Sequence, residues 1–195
     1  MGAIEMLMTE HRLILKVLGA MEKYVEAVVS GQPVDRADLE KFVTFIREFA
    51  DRCHHGKEED ILFASMVEQG YPREQGPVAV MLAEHEQGRQ LVGVLKAIAA
   101  KSGAWTEEEK SQLIRAALGY ISLLRSHIHK EDHVLYPAAE NHLGPERMEA
   151  MAEEFEVFEQ TKSGAGEHER FHALADELIA RYNPEAKHSA SCHHQ

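Results

Sequence analysis

CHHGKEEDILFA, residues 53–64, and SHIHKEDHVLYP, residues 126–137, align without a gap. His54 falls on His127, Lys57 on Lys130, Glu58 on Glu131 and Leu62 on Leu135, so both copies read H-x-x-x-E, then an acid, an apolar pair and an aromatic. A spacing of four is about one helical turn, which puts the histidine and the glutamate of each copy on one helix face, aimed at a common point. Two shorter echoes precede them, Thr9-Glu10-His11 and Ala83-Glu84-His85. The offset is 74 residues from His11 to His85 and 73 from His54 to His127, so the chain reads as one helical hairpin present twice.

Outward from these segments the apolar residues keep helical spacing. Residues 4–29 place Ile4, Leu7, Leu18 and Val25 on one stripe, and a second helix is expected over roughly 36–67, from Leu39 and Phe42 through Leu62 and Met66. Gly70, Pro72, Gly76 and Pro77 make a loop before a third periodic stretch from about Val78 to Ala100. Thr106 with Glu109 matches a capping box and starts a fourth helix, which Pro137 is expected to end or kink. Gly144 and Pro145 open a last helical stretch, 146–182, interrupted at 163–166. No run alternates as a strand does. The expected fold is all-α, an up-down-up-down four-helix bundle over 1–143, with an additional C-terminal helical segment over 144–183 and a flexible tail over 184–195.

In an antiparallel bundle the early part of an odd-numbered helix lies level with the late part of an even-numbered one. His11 and His85 therefore meet the two H-x-x-x-E pairs in one layer, with His54, Glu58, His127 and Glu131. Four imidazoles and two carboxylates suit a pair of first-row metal ions, two imidazoles to each, with the carboxylates able to bridge. Two carboxylates buried without a cation would each cost several kcal/mol, roughly, so a metal pair also explains how the core tolerates them. Ligand types alone leave iron, zinc and other ions open.

The order H, H-x-x-x-E, H, H-x-x-x-E, with EHR near the N-terminus, HHGKEEDILF and HIHKEDHVLYP, resembles the hemerythrin-like, or HHE cation-binding, family over about residues 4–140. The resemblance implies a non-haem centre of two iron ions, bridged by carboxylates and an oxo or hydroxo group. Family members use it for oxygen binding, oxygen or iron sensing, nitric-oxide and peroxide handling, or iron–sulfur-cluster repair. Two positions depart from the oxygen carriers of the family. Arg89 stands where they have a fifth histidine, and the fourth helix has His127 and Glu131 at a spacing of four where they have H-x-x-x-x-D. These departures point away from reversible oxygen carriage, towards a protein that senses or reacts with oxygen, peroxide or nitric oxide. The other readings are an iron-handling enzyme or cluster-repair protein, and a bundle that holds a metal for stability.

The rest of the composition narrows the partners. A formal charge of −12 disfavours nucleic-acid phosphates and anionic membranes, and 13 histidines in 195 residues is a heavy loading of the commonest metal ligand. Two cysteines supply no disulfide framework and fit a reducing cytoplasm, and neither a leader peptide nor a membrane span is expected. His55, His129 and His133 are read as projecting from other helix sides, either behind the ligands or at the surface. Glu59 and Asp132 are the rival carboxylates, one residue out of register. Cys53 reads as a small buried residue. His168 and His172, four apart, are read as an exposed polar face, with approach to the open side of the metal pair as the alternative; Cys192-His193-His194 reads as a weak metal scavenger.

Overall fold

A computed structural model describes residues 1–162 and 166–183, and every regular element among them is helical. The elements are α1 (Ala3–Val29), α2 (Arg36–Phe45), α3 (Phe63–Glu68), α4 (Gly76–Ala99), α5 (Glu107–Lys130), α6 (Tyr136–Lys162) and α7 (Glu167–Tyr182). Three π-helical segments, Ile46–His55, Glu58–Leu62 and Glu131–Leu135, carry the chain from α2 to α3 and from α5 to α6 without leaving the helix axis. The starts obey local chemistry. Asp35 caps α2 by accepting from the Ala37 amide at 2.9 Å. The expected capping box at Thr106 and Glu109 is formed in both directions at 3.1 Å.

Of the two outcomes expected at Pro137, an end or a kink, the end does not occur, since α6 runs on past it. The π turn Glu131–Leu135 lies immediately before it, and this wider turn absorbs the hydrogen bond that proline cannot donate. The break comes at Gly144, whose φ of 77° suits only a residue without Cβ, with Pro145 after it. Of the expected interruption at 163–166, Gly166 is described, at a φ of 83° just before α7, while 163–165 lie outside the described residues, as does the tail over 184–195 with Cys192, His193 and His194.

Two apolar clusters hold the helices together. The larger takes Val17, Leu18, Phe42, Phe49, Leu95 and Leu113 among others; the smaller takes Leu7, Leu62, Phe63, Met81 and Leu135. Along α1 and α4 the chain passes from the smaller cluster to the larger, and along the two π-bearing helices it passes back. Each crossing carries buried polar residues: His11, then His54 and Glu58, then His85, then His127 and Glu131. The C-terminal helices enter both clusters, α6 through Met151 and Phe155 and α7 through Phe171, Ala175, Leu178 and Ile179. The far end of α7 is tied to α2 by Asp38, fully buried, which accepts from the Tyr182 hydroxyl at 2.5 Å and from Arg181 at 2.8 Å. Gly56 lies where a Cβ would meet the Phe158 ring at 2.8 Å, so the missing side chain is what lets α6 close over the polar layer. No helix among the described residues is long and apolar enough to cross a membrane.

Candidate metal centre

The six residues expected from the repeat converge, all of them 1% exposed or less. His11 and His54 face each other through Nε2 atoms 2.9 Å apart, and His85 and His127 do the same at 3.0 Å. The donor atoms sort into two overlapping groups, each drawn within 4.8 Å: His11, His54, Glu58 and Glu131, and His55, Glu58, His85 and His127. Glu58 belongs to both. Glu131 also straddles them, with Oε2 at 3.3 Å from His11 Nε2 and Oε1 at 3.1 Å from His127 Nε2.

Each of the four imidazoles is held from behind by a carboxylate. The Nδ1 atoms of His11, His54, His85 and His127 lie 2.7, 2.8, 2.7 and 2.9 Å from Asp132, Glu10, Glu59 and Glu84. A carboxylate that accepts from Nδ1–H fixes the tautomer, so that the Nε2 lone pair points inward. Glu59 and Asp132, the rival ligands, therefore sit on the outer side of the rings. Glu10 and Glu84 are the partners that sequence reasoning missed, although the signal was present in the repeated Glu-His pairs. The lysines of the repeat complete the symmetry. Lys57, fully buried, donates to Glu10 and to Glu159, and Lys130 donates to Glu84.

The layer is fitted to hold cations. Both oxygens of Glu131 and Oε2 of Glu58 are buried with no hydrogen-bond donor, an arrangement that costs free energy unless a positive ion meets them. The electrostatics of the bare layer agree. Burial alone would push the His11 and His85 imidazoles down, but the neighbouring carboxylates, Asp132 and Glu131 for the first and Glu58 and Glu59 for the second, raise them to about 10 and about 9. Burial alone would push Glu58 up, yet His54 and His85 hold it well below the usual carboxylate range. Positive charge on the imidazoles thus offsets the buried carboxylates, a part that a cation could take. Nitrogen and carboxylate donors in this number suit first-row divalent ions.

His55 corrects the sequence reading. It is buried, not turned outward, and its ring stacks on His85 with centroids 3.8 Å apart and planes 12° apart. The reason is the π segment Ile46–His55: the wider turn spreads successive side chains less, so His54 and His55 both face inward. Burial and the neighbouring His85 cation push the His55 imidazole well below its usual value, which keeps it neutral. His129 and His133 are exposed, as expected, and Cys53 is buried. Arg89 donates to Asp51 at 2.9 Å and to Glu59 at 2.6 Å, so it steadies the carboxylate behind His85.

The two halves differ in one aromatic. Tyr136 stacks on His11 at 5.4 Å and donates its hydroxyl to Glu58 at 2.7 Å, while the aligned Phe63 stacks on His85 at 5.9 Å with no polar atom to offer. Burial and Glu58 raise the phenol well above its ordinary value, so it remains a proton donor. A cavity of about 250 Å³ reaches His55, His85 and His127 past Arg89, Val92 and Tyr120.

A family model, the hemerythrin HHE cation binding domain, matches residues 2–139. An uncharacterized protein of Mycobacterium tuberculosis is 24% identical over 162 residues, 83% of this chain and 63% of the relative. The iron-sulfur cluster repair protein YtfE of Salmonella paratyphi B is 33% identical over 132 residues, 66% of this chain and 59% of the relative. The chain thus spans about three fifths of the length of these curated relatives. No solved structure gives a significant match.

Proposed function

This chain belongs to the hemerythrin HHE cation-binding family, and on that premise we propose that His11, His54, Glu58, His85, His127 and Glu131 hold two iron ions that sense or react with oxygen, peroxide or nitric oxide. The observation that carries this reading is the pair of donor groups sharing Glu58, with three buried carboxylate oxygens lacking any donor. Bound there, such a pair of ions would supply electrons to a small oxidant. The protein orients the imidazoles through Glu10, Glu59, Glu84 and Asp132, holds a proton on Tyr136 beside Glu58, and admits small molecules through the cavity at His85 and His127. We take the helices of residues 1–143 as an up-down-up-down four-helix bundle in a cytoplasmic protein, with 144–183 packed on it as an extension. A second reading, delivery of iron for cluster repair, draws on the printed role of the Salmonella relative.

The test is to reduce the iron-loaded protein without oxygen, add oxygen or peroxide and follow the absorption spectrum. Rapid and irreversible conversion to a ferric pair is the expected result. A coloured oxygen adduct that disappears on removing oxygen, with the ferrous state restored, would make the protein a carrier and overturn the proposal. Slow response to both oxidants would favour the iron-delivery reading. Protein loaded with zinc and free of iron after growth in iron-replete cells would point instead to a structural metal site.

The asymmetry at Tyr136 gives a separate expectation. Tyr136→Phe removes one buried hydrogen bond but keeps the ring, so stability should fall by about 1 kcal/mol, with iron content unchanged. The ferric absorption band should shift, because Glu58 loses its donor. An unaltered spectrum would place Tyr136 outside the influence of the centre.

A further inference from the structure

Outside the central layer, one histidine pair repeats the geometry found within it. His168 and His172 stand one turn apart on α7, with Nε2 atoms 3.0 Å apart. That is the spacing of the two central pairs, at 2.9 and 3.0 Å. We propose that His168 and His172 form a second, surface site for a borderline divalent transition ion such as Zn²⁺ or Cu²⁺, separate from the central pair.

Three features support the site. With metal–nitrogen bonds of about 2.0–2.1 Å, nitrogens at this separation subtend about 90° at a shared ion, the angle between neighbouring ligands of an octahedral or square arrangement. The rings are seated, not loose: both pack on the buried Phe49, His168 at 5.8 Å and His172 edge-on at 5.9 Å. Behind His168, Glu159 Oε2 stands 3.8 Å from Nδ1, the side from which carboxylates hold the central imidazoles. The exposed pair His129 and His133 has the same sequence spacing but not this geometry, since His133 turns its Nδ1 to the His129 carbonyl at 2.9 Å. Glu10, Glu159 and His168 also bring donor atoms together, but the Lys57 ammonium already sits between the two glutamates, so the ion belongs on the Nε2 side. Two imidazoles leave the other positions of that ion to water.

The test uses the full chain with its central metal in place and with His188, Cys192, His193 and His194 replaced by serine, because the composition of that tail also suits metal ions. Equilibrium dialysis against Zn²⁺ with elemental analysis should find one equivalent beyond the central content. That equivalent should be lost in His168→Ala and in His172→Ala, with central metal unchanged. Cu²⁺ in place of Zn²⁺ should give an electron paramagnetic resonance spectrum with two coupled nitrogens, reduced to one or none in either variant. The absence of an added equivalent, its survival in both variants, or its loss only together with the central metal would each overturn the proposal. Because central content is measured separately, an error about the identity of the central ions would not imitate any of these results.

Discussion

Glu131→Ala is expected to leave purified protein with almost no central metal, and Glu58→Ala to do nearly the same, whereas Glu59→Ala and Asp132→Ala should keep a measurable share. The difference follows from which side of the imidazoles each carboxylate occupies. Glu131 reaches towards both histidine pairs and has a hydrogen bond on neither oxygen, so its charge is available to an ion held between them. Glu58 is common to both donor groups, with one oxygen engaged by Tyr136 and the other free. Glu59 and Asp132 meet the imidazoles only at Nδ1, and removing such an outer partner lowers metal affinity by roughly 10–100-fold, not absolutely. Metal stoichiometry of the four variants, followed by competition with a chelator of known affinity, separates the two classes. Metal retained in Glu58→Ala and lost in Glu59→Ala would mean that the register is wrong by one residue. Asp132→Ala and Glu59→Ala should also differ from each other, because Arg89 shares Glu59 and would be left with Asp51 alone.

The periodicity of the apolar residues was enough to place the long helices, because each runs through both clusters with the same mixed three-and-four spacing. The repeat was enough to select six inward residues, because one matching pair could be chance while four matching positions at nearly equal offsets are not. What the one-dimensional pattern lacks is the pitch of the helix. An ideal α-helix at 53–64 turns His55 away from His54, and the π segments that bring both inward arise from packing around buried polar groups, which no local propensity encodes. The same ignorance of pitch made Pro137 look like a terminus. Glu10 and Glu84 were visible as residues but not as roles, since which ring nitrogen a carboxylate meets depends on a neighbouring helix. Asp38 is a further case: in sequence it is an acid in the first turn of a helix, and only the return of α7 shows it buried beneath Tyr182 and Arg181.

Removing the metal with a chelator should lower the melting temperature, and the gap between metal-bound and metal-free protein should widen as pH rises from 6 to 9.5. Without metal, the buried Glu58 and Glu131 are balanced by protons on the histidines. The His11 and His85 imidazoles are raised from 6.5 to about 10 and about 9, with burial opposed and outweighed by Asp132, Glu131, Glu58 and Glu59. A group whose value is higher folded than unfolded stabilises the fold fully below its unfolded value and loses that contribution as pH climbs through its folded value. The metal-free protein should therefore hold its stability up to about pH 6.5 and lose it progressively towards pH 10, as two carboxylates are left buried with nothing to meet them. Each histidine carries on the order of a few kcal/mol, which in a chain of this size corresponds to a fall of roughly 10 °C for each of the two across the window. In the metal-bound protein the ions take the place of those protons, so this alkaline loss should be absent. Below about pH 5 the gap closes, because protons compete with the ions for the same nitrogens and the metal's contribution shrinks. Glu10 sets a further acid limit for both forms. Burial would raise its carboxyl, but His54 and Lys57 lower it from 4.5 to about 2, so its contribution is present above pH 4.5 and fades as pH falls towards 2. Thermal melts across pH 3–10, with and without chelator, test the whole scheme. Parallel curves for the two forms between pH 6 and 9.5 would show that protons and ions do not share the layer, and with that the placement of the metal among His11, His54, Glu58, His85, His127 and Glu131 would fail.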